Sequence, residues 1–355
     1  MKGKMKAQVF YGPGDVRFED IDIPVIGDGE ALVKIKSALT CGSDVKTYIR
    51  GHPTMIKKAS VLGHEWAGDI VEIGKGVDNF KVGDRIAAAN SAPCFECYYC
   101  RIGRYSLCEN LVYNNGAFAE YIKVPENILR KNTFILPDNT DYREAALLEP
   151  LSCVVHGVER SNIQAGSIAA INGAGPIGLM FVVLAKLRGA VVISADLSEE
   201  RLGYASEFGA DYTINGAKVA DQVEEVRKLT EGNRGVDIAI DATGVPEVWE
   251  KTILMGRKGA VINLFGGCKP DTLIKIDTNL IHYSELNIKG VYHHTPDYVK
   301  KAFELITSGR IDAAKFITAD MPLGKLVKAL ELMSKGKGIK YNIKCNQYES
   351  SALLQ

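Results

Sequence analysis

Hydrophobic and polar positions divide the chain into a strand-rich first third and a middle in which strands alternate with helices. The early runs ALVKIKSAL and AGDIVEIG are rich in β-branched residues, and segments rich in Gly, Asp and Asn separate them. The middle begins with the apolar strand SIAAIN, a glycine turn and the helical run PIGLMFVVLAKLRG. It continues with the strands VVISA, VDIAIDAT, AVINLFG and LNIKGVY, a helix with Ser198 as N-cap candidate, and a helix at EVWEKTILMG. This alternation predicts βαβ units and a parallel sheet, an α/β fold.

The last part of the chain returns to amphipathic helices and ends with one more strand. In PLGKLVKALELM, four apolar residues follow the i, i+3, i+4, i+7 spacing of a helix face that packs on a core: Leu323, Leu326, Val327 and Leu330. The run GIKYNIKC predicts the final strand.

The composition is that of a globular protein, and it disfavours several kinds of partner. Of the 355 residues, 46% are hydrophobic and 24% are charged, which suits one large domain or two of ordinary size. Lys+Arg and Asp+Glu both number 43, so the net charge of zero argues against nucleic acid or a membrane surface. No signal-peptide pattern is visible, and no apolar run approaches the roughly 20 residues that span a bilayer. We therefore expect a cytoplasmic protein.

Four of the eight cysteines fall within one short segment, with the spacing Cys94-x2-Cys97-x2-Cys100-x7-Cys108. Four thiolates on one loop can close a tetrahedral shell around zinc, and such a shell leaves no open position for a substrate. The spacing therefore predicts a structural zinc site. Unrelated free thiols and an iron–sulfur cluster are the alternatives that the spacing leaves open.

A second motif, Gly173-Ala174-Gly175-Pro176-Ile177-Gly178, follows an apolar strand and precedes a helix. In that context the first glycine makes a tight turn, the second lets the backbone approach a pyrophosphate, and the third permits close packing of helix on strand. Asp196 ends the next strand, where a carboxylate binds ribose hydroxyls and repels a 2′-phosphate. NAD is therefore favoured over NADP. The alternative is a glycine turn that binds no nucleotide.

Zinc-ligand residue types also occur farther apart, as Cys41 in TCGSD, His64 and Glu65 in GHEWAG, and Glu149 in LLEPLSC. Cys, His and carboxylate are the ligands of catalytic zinc sites that keep one position open. The residues alone do not bring these side chains together. Each could be an ordinary surface or core residue, and Glu149, which precedes a proline, could belong to a hinge.

The order of these motifs resembles that of the zinc-dependent medium-chain alcohol dehydrogenases. The resemblance rests on GHEWAGDIVEIGKGVDNFKVGDRI, the four-cysteine loop, LLEPLSC and INGAGPIGL, and it covers nearly the whole chain. It is closest to the polyol and sorbitol dehydrogenase branch, because Glu149 stands where the liver-type enzymes carry a cysteine. The resemblance implies a GroES-like β-rich catalytic domain at 1–150, a Rossmann NAD-binding domain with a doubly wound parallel sheet at 151–292, and a return to the catalytic domain at 293–355.

The resemblance also implies roles for individual residues. Cys41 and His64 would bind the catalytic zinc, and Glu65 and Glu149 would complete its shell directly or through water. Ser43 would start a proton relay. The remaining implied cofactor contacts are Arg201 near the adenosine, Thr243, and, near the nicotinamide, Phe265, Gly266, Val291 and Tyr292. The implied function is hydride transfer from a secondary alcohol to NAD, with two zinc ions per chain and a homotetrameric or dimeric assembly.

Two departures from the family pattern leave the substrate open. Lys46 stands where many relatives carry the histidine that passes the proton to solvent, so it could relay a proton or bind an anionic group. His293 and His294 lie where the sorbitol enzymes carry an arginine that contacts substrate. A polyol, a cyclitol, an aminocyclitol, a sugar phosphate and a threonine-like amino alcohol all remain possible substrates.

Three other classes of protein are less consistent with the sequence. A zinc-free quinone reductase shares the implied fold, but it does not need Cys41 and His64. A binding or structural protein that retains the fold would not need those residues together with Ser43 and Glu149. A zinc module that binds nucleic acid is disfavoured because the net charge is zero and no basic stripe is present.

Overall fold

The computed structural model describes residues 1–51 and 58–347. In this part of the chain the strands are β1 (Lys4–Gly12), β2 (Asp15–Asp22), β3 (Ala31–Leu39), β4 (Ser60–Val61), β5 (Glu65–Ile73), β6 (Arg85–Ala88), β7 (Ser91–Ala92), β8 (Val112–Tyr113), β9 (Tyr121–Val124), β10 (Thr133–Ile135), β11 (Ile168–Asn172), β12 (Val191–Asp196), β13 (Tyr212–Asn215), β14 (Val236–Asp241), β15 (Gly256–Leu264), β16 (Asn287–Gly290), β17 (Ile317–Pro322) and β18 (Lys340–Lys344).

The α-helices are α1 (Gly42–Arg50), α2 (Tyr98–Arg101), α3 (Glu126–Lys131), α4 (Tyr142–Ala145), α5 (Leu148–Ser161), α6 (Pro176–Leu187), α7 (Glu199–Glu207), α8 (Gln222–Lys228), α9 (Pro246–Met255), α10 (Thr278–Tyr283), α11 (Pro296–Thr307) and α12 (Leu326–Ser334). Short 3-10 helices supplement them. In the described residues, no helix is both long and apolar enough to cross a bilayer.

The chain forms two compact units, Met1–Ser152 with His294–Gln355, and Cys153–His293. The first unit is built mainly on a seven-stranded sheet in the order β10-β6-β5-β3-β18-β17, with β9 also paired to β3. Most of its pairings are antiparallel, as in the long β3–β5 ladder, whereas β17 and β18 run parallel. Strand β3 is buried along most of its length, as its apolar run predicts. A three-stranded sheet, β2-β1-β4, and a pair, β7-β8, complete this unit.

Helix α12 packs on the core of the first unit through its apolar face. Leu326 and Leu330 are buried there together with Trp66 and Phe118. Ala329 is buried in the same core, whereas Val327 of the predicted stripe is only partly buried. The prediction for Val327 was therefore wrong in detail, since Ala329 is buried in its place and Leu323 belongs to the preceding 3-10 helix.

The second unit is a six-stranded parallel sheet in the order β13-β12-β11-β14-β15-β16. All its strand pairs are parallel, and helices connect most of them. The strand order reverses between β11 and β14, and open sheets of this kind bind ligands at the carboxyl ends of the strands beside that reversal. The parallel sheet predicted from alternating strands and helices is thus confirmed. Ser198 caps α7, as predicted, by accepting a hydrogen bond from the Arg201 amide at 3.4 Å.

Candidate metal and cofactor sites

The four clustered cysteines converge on one point of the loop between β7 and β8. The distance between the sulfur atoms is 3.5 Å for Cys94 and Cys108, 4.0 Å for Cys94 and Cys100, and 3.9 Å for Cys97 and Cys108. A tetrahedral ZnS4 centre with Zn–S bonds of 2.3 Å has sulfur–sulfur edges of about 3.8 Å. All four thiols are free of disulfides. The four residues therefore fit a closed zinc shell.

Backbone amides support this shell electrostatically. The amides of Glu96 and Cys97 donate to the Cys94 sulfur at 3.5 and 3.4 Å, and they lower the pKa of the Cys94 thiol to about 6. Burial has the opposite effect on Cys100 and raises its pKa to about 12. A divalent cation would hold all four sulfur atoms as thiolates, because it favours the charged form of each ligand.

A second cluster joins Cys41, His64 and Glu65, whose ligand atoms lie within 4.8 Å of one another. The register of the β3–β5 ladder explains this convergence, because Leu39 at the end of β3 pairs with Glu65 at the start of β5. The antiparallel pairing therefore places the residues that follow β3 beside those that begin β5. Cys41 is the N-cap of α1, and the side chain of His64 is only 12% exposed. A thiolate, an imidazole and a carboxylate fit a catalytic zinc.

Asp44 lies behind this cluster, and the sequence analysis missed it. One oxygen of its carboxylate accepts a hydrogen bond from the Cys41 amide at 2.9 Å, and the other lies 3.6 Å from Nδ1 of His64. Burial raises the pKa of Asp44 to about 6. A carboxylate on the far nitrogen of a metal-binding histidine fixes the orientation of the ring. The signal for Asp44 was present, since an acidic residue three positions after an N-cap forms a capping box.

Lys340 is the second residue that the sequence analysis missed. Its ammonium group donates to both carboxylate oxygens of Glu65, at 2.6 and 2.8 Å, and to the Thr40 carbonyl at 2.9 Å. The two side chains are buried, with 1% and 0% exposure. Burial lowers the pKa of Lys340, but the Glu65 carboxylate outweighs that effect and raises it above its ordinary value. Burial also raises the pKa of the Glu65 carboxyl well above its ordinary value, and the Lys340 ammonium opposes that rise. The short contacts with both carboxylate oxygens are those of a buried ion pair. No local signal marked Lys340, which looks like an ordinary polar position in an alternating strand.

The electrostatics of the cluster suit a metal ligand at Cys41. Burial raises the pKa of this thiol, yet the hydrogen bond and charge of His64, together with Lys340 and the Ser43 hydroxyl, bring it well below its ordinary value. Burial lowers the pKa of His64, but Asp44 and Cys41 raise it well above its ordinary value. The thiolate therefore forms readily, and a metal ion would take the place of the proton between these two groups.

The other predicted catalytic residues occupy different positions around this cluster. Ser43 is half-buried in the first turn of α1, and Lys46 is exposed one turn further on. Glu149 is buried in the first turn of α5, and its charge contributes to the raised pKa of His64. The carboxylate of Glu149 lies within 4.8 Å of a ring nitrogen of His294, which is itself buried. Glu149 thus lies close to His294 and also acts electrostatically on His64 and Glu65 of the first cluster.

The glycine motif of the second unit has the geometry of a phosphate-binding turn. Gly173 has φ of 96°, a conformation that glycine adopts without strain. A Cβ atom on Gly178 would lie 1.7 Å from the Gly173 carbonyl oxygen, so only glycine permits this contact of helix and turn. Gly175 is the N-cap of α6, Pro176 is its first residue, and a Cβ on Gly175 would meet open space. The helix N-terminus is therefore open to an anion, as a dinucleotide pyrophosphate requires.

Asp196 ends β12 beside this turn. Its carboxylate accepts hydrogen bonds from the amides of Ala174 at 2.8 Å and Ser198 at 2.9 Å, and Arg201 lies 4.0 Å away. These bonds fix the carboxylate at the edge of the sheet where the ribose of a dinucleotide would lie. Ile177 follows Pro176 in the first turn of α6 and is half-buried.

The remaining predicted cofactor residues follow the carboxyl ends of the last strands of this sheet. Thr243 lies after β14, and Phe265 and Gly266 lie after β15. The Phe265 ring packs edge-on against Phe181 of α6 at a centroid distance of 5.0 Å. Val291 and Tyr292 follow β16, the first buried and the second exposed. His293 has φ of 59°, and its carbonyl accepts a hydrogen bond from Nδ1 of His156 at 2.8 Å.

Comparison with known proteins agrees with this geometry. Residues 27–137 match the alcohol dehydrogenase GroES-like domain, and residues 176–308 match the zinc-binding dehydrogenase family. Sorbitol dehydrogenase of Bacillus subtilis (strain 168) is 35% identical over 335 residues, covering 92% of this chain and 93% of the relative. A zinc-binding dehydrogenase of Sinorhizobium meliloti 1021, solved with NADP, shares 30% identity and a TM-score of 0.87, covering 96% of this chain and 99% of that one. The solved structure of 2R,3R-butanediol dehydrogenase of Bacillus subtilis shares 29% sequence identity and a TM-score of 0.85. The match covers 96% of this chain and 99% of that one.

The fold and its sites define this class of protein: dehydrogenases that bind a metal ion and use a nucleotide cofactor. The chain belongs to the zinc-dependent medium-chain alcohol dehydrogenases, in their polyol dehydrogenase branch. It is an alcohol or polyol oxidoreductase that acts on a small molecule and uses zinc and a nicotinamide cofactor. The predicted family and the predicted combination of a GroES-like domain with a Rossmann domain are confirmed.

Proposed function

We propose that this protein oxidises a secondary alcohol that lies next to a second hydroxyl group, with NAD as the hydride acceptor. The observation that carries the proposal is the convergence of Cys41, His64 and Glu65 within 4.8 Å. In this proposal 1–150 and 293–355 form the catalytic domain and 151–292 the cofactor domain. A cytoplasmic location is also part of this proposal.

Each group of residues has a defined part in the reaction. Cys41 and His64, with Glu65 or Glu149 as a direct or water-mediated ligand, would hold a zinc ion. The chemistry that this ion would supply is polarisation of the alcohol oxygen, which lowers the pKa of the alcohol. Asp44 orients the His64 ring. The Ser43 hydroxyl carries the alcohol proton outward, towards Lys46 one turn along the same helix or directly to water. The glycine turn at 173–178 would hold the pyrophosphate of NAD, which would supply the hydride acceptor.

The proposed substrate class is a polyol or cyclitol with adjacent hydroxyl groups. Two relatives support it, because sorbitol and 2,3-butanediol, the substrates in their names, both carry vicinal hydroxyls. A panel of sorbitol, 2,3-butanediol, myo-inositol, a sugar phosphate, L-threonine and ethanol, each assayed with NAD, tests this. Vicinal diols should give the highest kcat/KM and ethanol a much lower one. Equal turnover of ethanol would contradict the proposed class, and a preference for L-threonine or a sugar phosphate would select those alternatives.

Glu149→Gln tests whether this carboxylate serves the substrate. The variant should bind NADH normally but lose about 10–100-fold in kcat, the usual scale for a group that supports a metal centre. Binding and initial rates on the best substrate of the panel measure the two effects. Glu144→Gln, on the half-buried neighbouring helix α4, is the matched control and should keep full activity. Full activity of Glu149→Gln itself would assign the residue to the hinge instead.

Asp196→Ala tests the choice of cofactor. Wild-type protein should prefer NAD strongly, because a carboxylate facing a 2′-phosphate is a like-charge contact. The variant should discriminate less between NAD and NADP. The change should lie mainly in the KM for the cofactor, since the ribose is remote from hydride transfer. Asp211→Ala is the control for lost stability, because Asp211 also accepts a backbone amide, from Val192 at 2.7 Å, near the opposite end of β12. A wild-type preference for NADP would refute the assignment.

The assembly is proposed to be a homotetramer built from dimers. Strand β16 ends the parallel sheet of the second unit, so one of its edges is free to pair with a second copy. Light scattering at micromolar concentration measures the mass. The mass of a dimer would support pairing through β16 and contradict the tetramer. The mass of a monomer would contradict both proposals.

A further inference from the structure

The carboxylate of Asp241 is the centre of a hydrogen-bond network at the carboxyl end of β14. The residue is completely buried. One oxygen accepts the Thr243 hydroxyl at 2.6 Å, and the other accepts the amides of Thr243 at 3.2 Å and Gly244 at 2.9 Å. The indole N–H of Trp249 also donates to the second oxygen, at 3.0 Å. Burial raises the pKa of Asp241 above its ordinary value, and these hydrogen bonds oppose that rise. All four partners donate, so the carboxylate oxygens act as acceptors throughout the network.

The same residue ties this turn to the turn after the next strand. The Asp241 backbone carbonyl accepts the amides of Phe265 at 3.1 Å and Gly266 at 2.9 Å. The Trp249 indole closes the connection from the other side, because it also donates to the Gly266 carbonyl at 2.9 Å. Asp241 thus holds the turn at 242–245 against the turn at 265–267 through both its main chain and its side chain.

The two turns approach each other so closely that only glycine fits between them. A Cβ atom on Gly266 would lie 2.3 Å from the Gly244 amide nitrogen and 2.6 Å from the Asp241 carboxylate. A Cβ on Gly244 would lie 2.3 Å from the Gly267 carbonyl oxygen. The first glycine turn joins this packing, since a Cβ on Gly173 would lie 2.8 Å from the Thr243 methyl group. Three turns at the ligand-binding edge of the sheet therefore share one set of contacts.

We propose that Asp241 is a positioning residue for the nicotinamide half of the cofactor, acting through the turns at 242–245 and 265–267. The strand order supports the choice of half. Asp196 and the adenosine side lie beyond β11 towards β12, so the other half of a dinucleotide extends past the reversal, over β14 and β15. Asp241 itself lies beneath the turns and fixes their spacing. The inference rests on the proposed use of NAD.

Asp241→Asn tests this role with two ligands that share the adenosine half. The amide places a donor among four donors, so the connection between the turns weakens without a loss of side-chain volume. Calorimetry should show that NADH binds about 10-fold more weakly, the effect of losing one hydrogen bond to a charged group. ADP-ribose, which lacks the nicotinamide, should bind as to the wild type. The primary deuterium isotope effect on turnover should rise, because hydride transfer from a misplaced cofactor becomes slower.

Asp237→Asn is the matched control at the other end of the same strand. Asp237 also accepts a backbone amide, from Ile168 at 2.7 Å, and the Arg257 guanidinium at 2.6 Å. This control should lower the melting temperature and leave both affinities unchanged. If Asp241→Asn does not fold, Trp249→Phe removes the indole donor while keeping an aromatic ring, and it should weaken NADH binding in the same selective way.

Three results would overturn the inference, and one of them also overturns the proposed function. Equal weakening of NADH and ADP-ribose would show a general structural role for Asp241. Unchanged binding of both would show no role. A wild-type protein that binds neither ligand would refute the proposed use of NAD itself, which separates failure of the function from failure of the inference.

Discussion

His64→Ala is expected to remove one zinc ion per chain and to lower turnover by more than about 100-fold, above the effect of groups that merely support a metal. The cause is the loss of one of the three ligand candidates of this cluster. The two that remain, Cys41 and Glu65, cannot hold a zinc ion firmly, because a catalytic zinc has three protein ligands. Metal analysis by mass spectrometry and initial rates measure the two effects. The far-ultraviolet circular dichroism spectrum should stay unchanged, since His64 is not part of the hydrophobic core.

Cys97→Ser is the comparison that separates the two metals. It should also remove one zinc ion, but its main effect should be a lower melting temperature, because a structural zinc contributes folding free energy. Turnover per folded molecule should fall much less than in His64→Ala. If both variants retained two zinc ions per chain, the assignment of the two ligand sets would be wrong.

Lys340→Met is expected to lower the free energy of unfolding by about 3–5 kcal/mol, the usual cost of leaving one charge of a buried pair alone. The carboxylate of Glu65 would lose both of its contacts with the ammonium group. Chemical denaturation measures the loss. Lys340→Arg keeps the positive charge, so its free energy of unfolding should fall much less.

The double variant Glu65→Gln with Lys340→Met distinguishes the pair from the packing of the lysine stem. Removing both charges should recover part of the stability that Lys340→Met alone loses, because no unpaired charge stays buried. A double variant less stable than Lys340→Met would show that the methylene groups, and not the ion pair, account for the effect.

Local pattern predicted the parallel sheet and the motifs, and the resemblance that those motifs carry predicted the family and the GroES-like domain. Neither was sufficient for the residues behind the sites. The glycine turn, the four-cysteine loop and the alternation of strands and helices are contiguous in sequence, so their chemistry is visible there, and the fold class, the family, zinc and the nicotinamide cofactor are confirmed. The convergence of Cys41 with His64 depends on a strand register, Leu39 against Glu65, that no local pattern specifies. The individual catalytic and binding roles stay predictions.

The missed residues share one property, which is that their partners are distant or lie in a turn. Lys340 contacts a carboxylate 275 positions earlier, and Asp241 acts through two separate turns. Asp44 was the exception, because its position three residues after Cys41 is that of a capping box and can be recognised in the sequence. Val327 shows the reverse error, since the regular stripe was expected to bury a residue that is only partly buried, whereas Ala329 is buried.

The Glu65–Lys340 pair also sets an order for biosynthesis. Lys340 lies 275 positions after Glu65, so a ribosome adds β18, the strand that joins β17 to β3, long after β3 and β5 have been made. Every residue of the second unit emerges before that event, so its parallel sheet can be complete while the Glu65 carboxylate still lacks its counter-ion. Until β18 has been made, the end of β3 at Ala38 and Leu39 lacks this partner strand and β17 has no strand of this sheet to pair with, so the first unit is completed last.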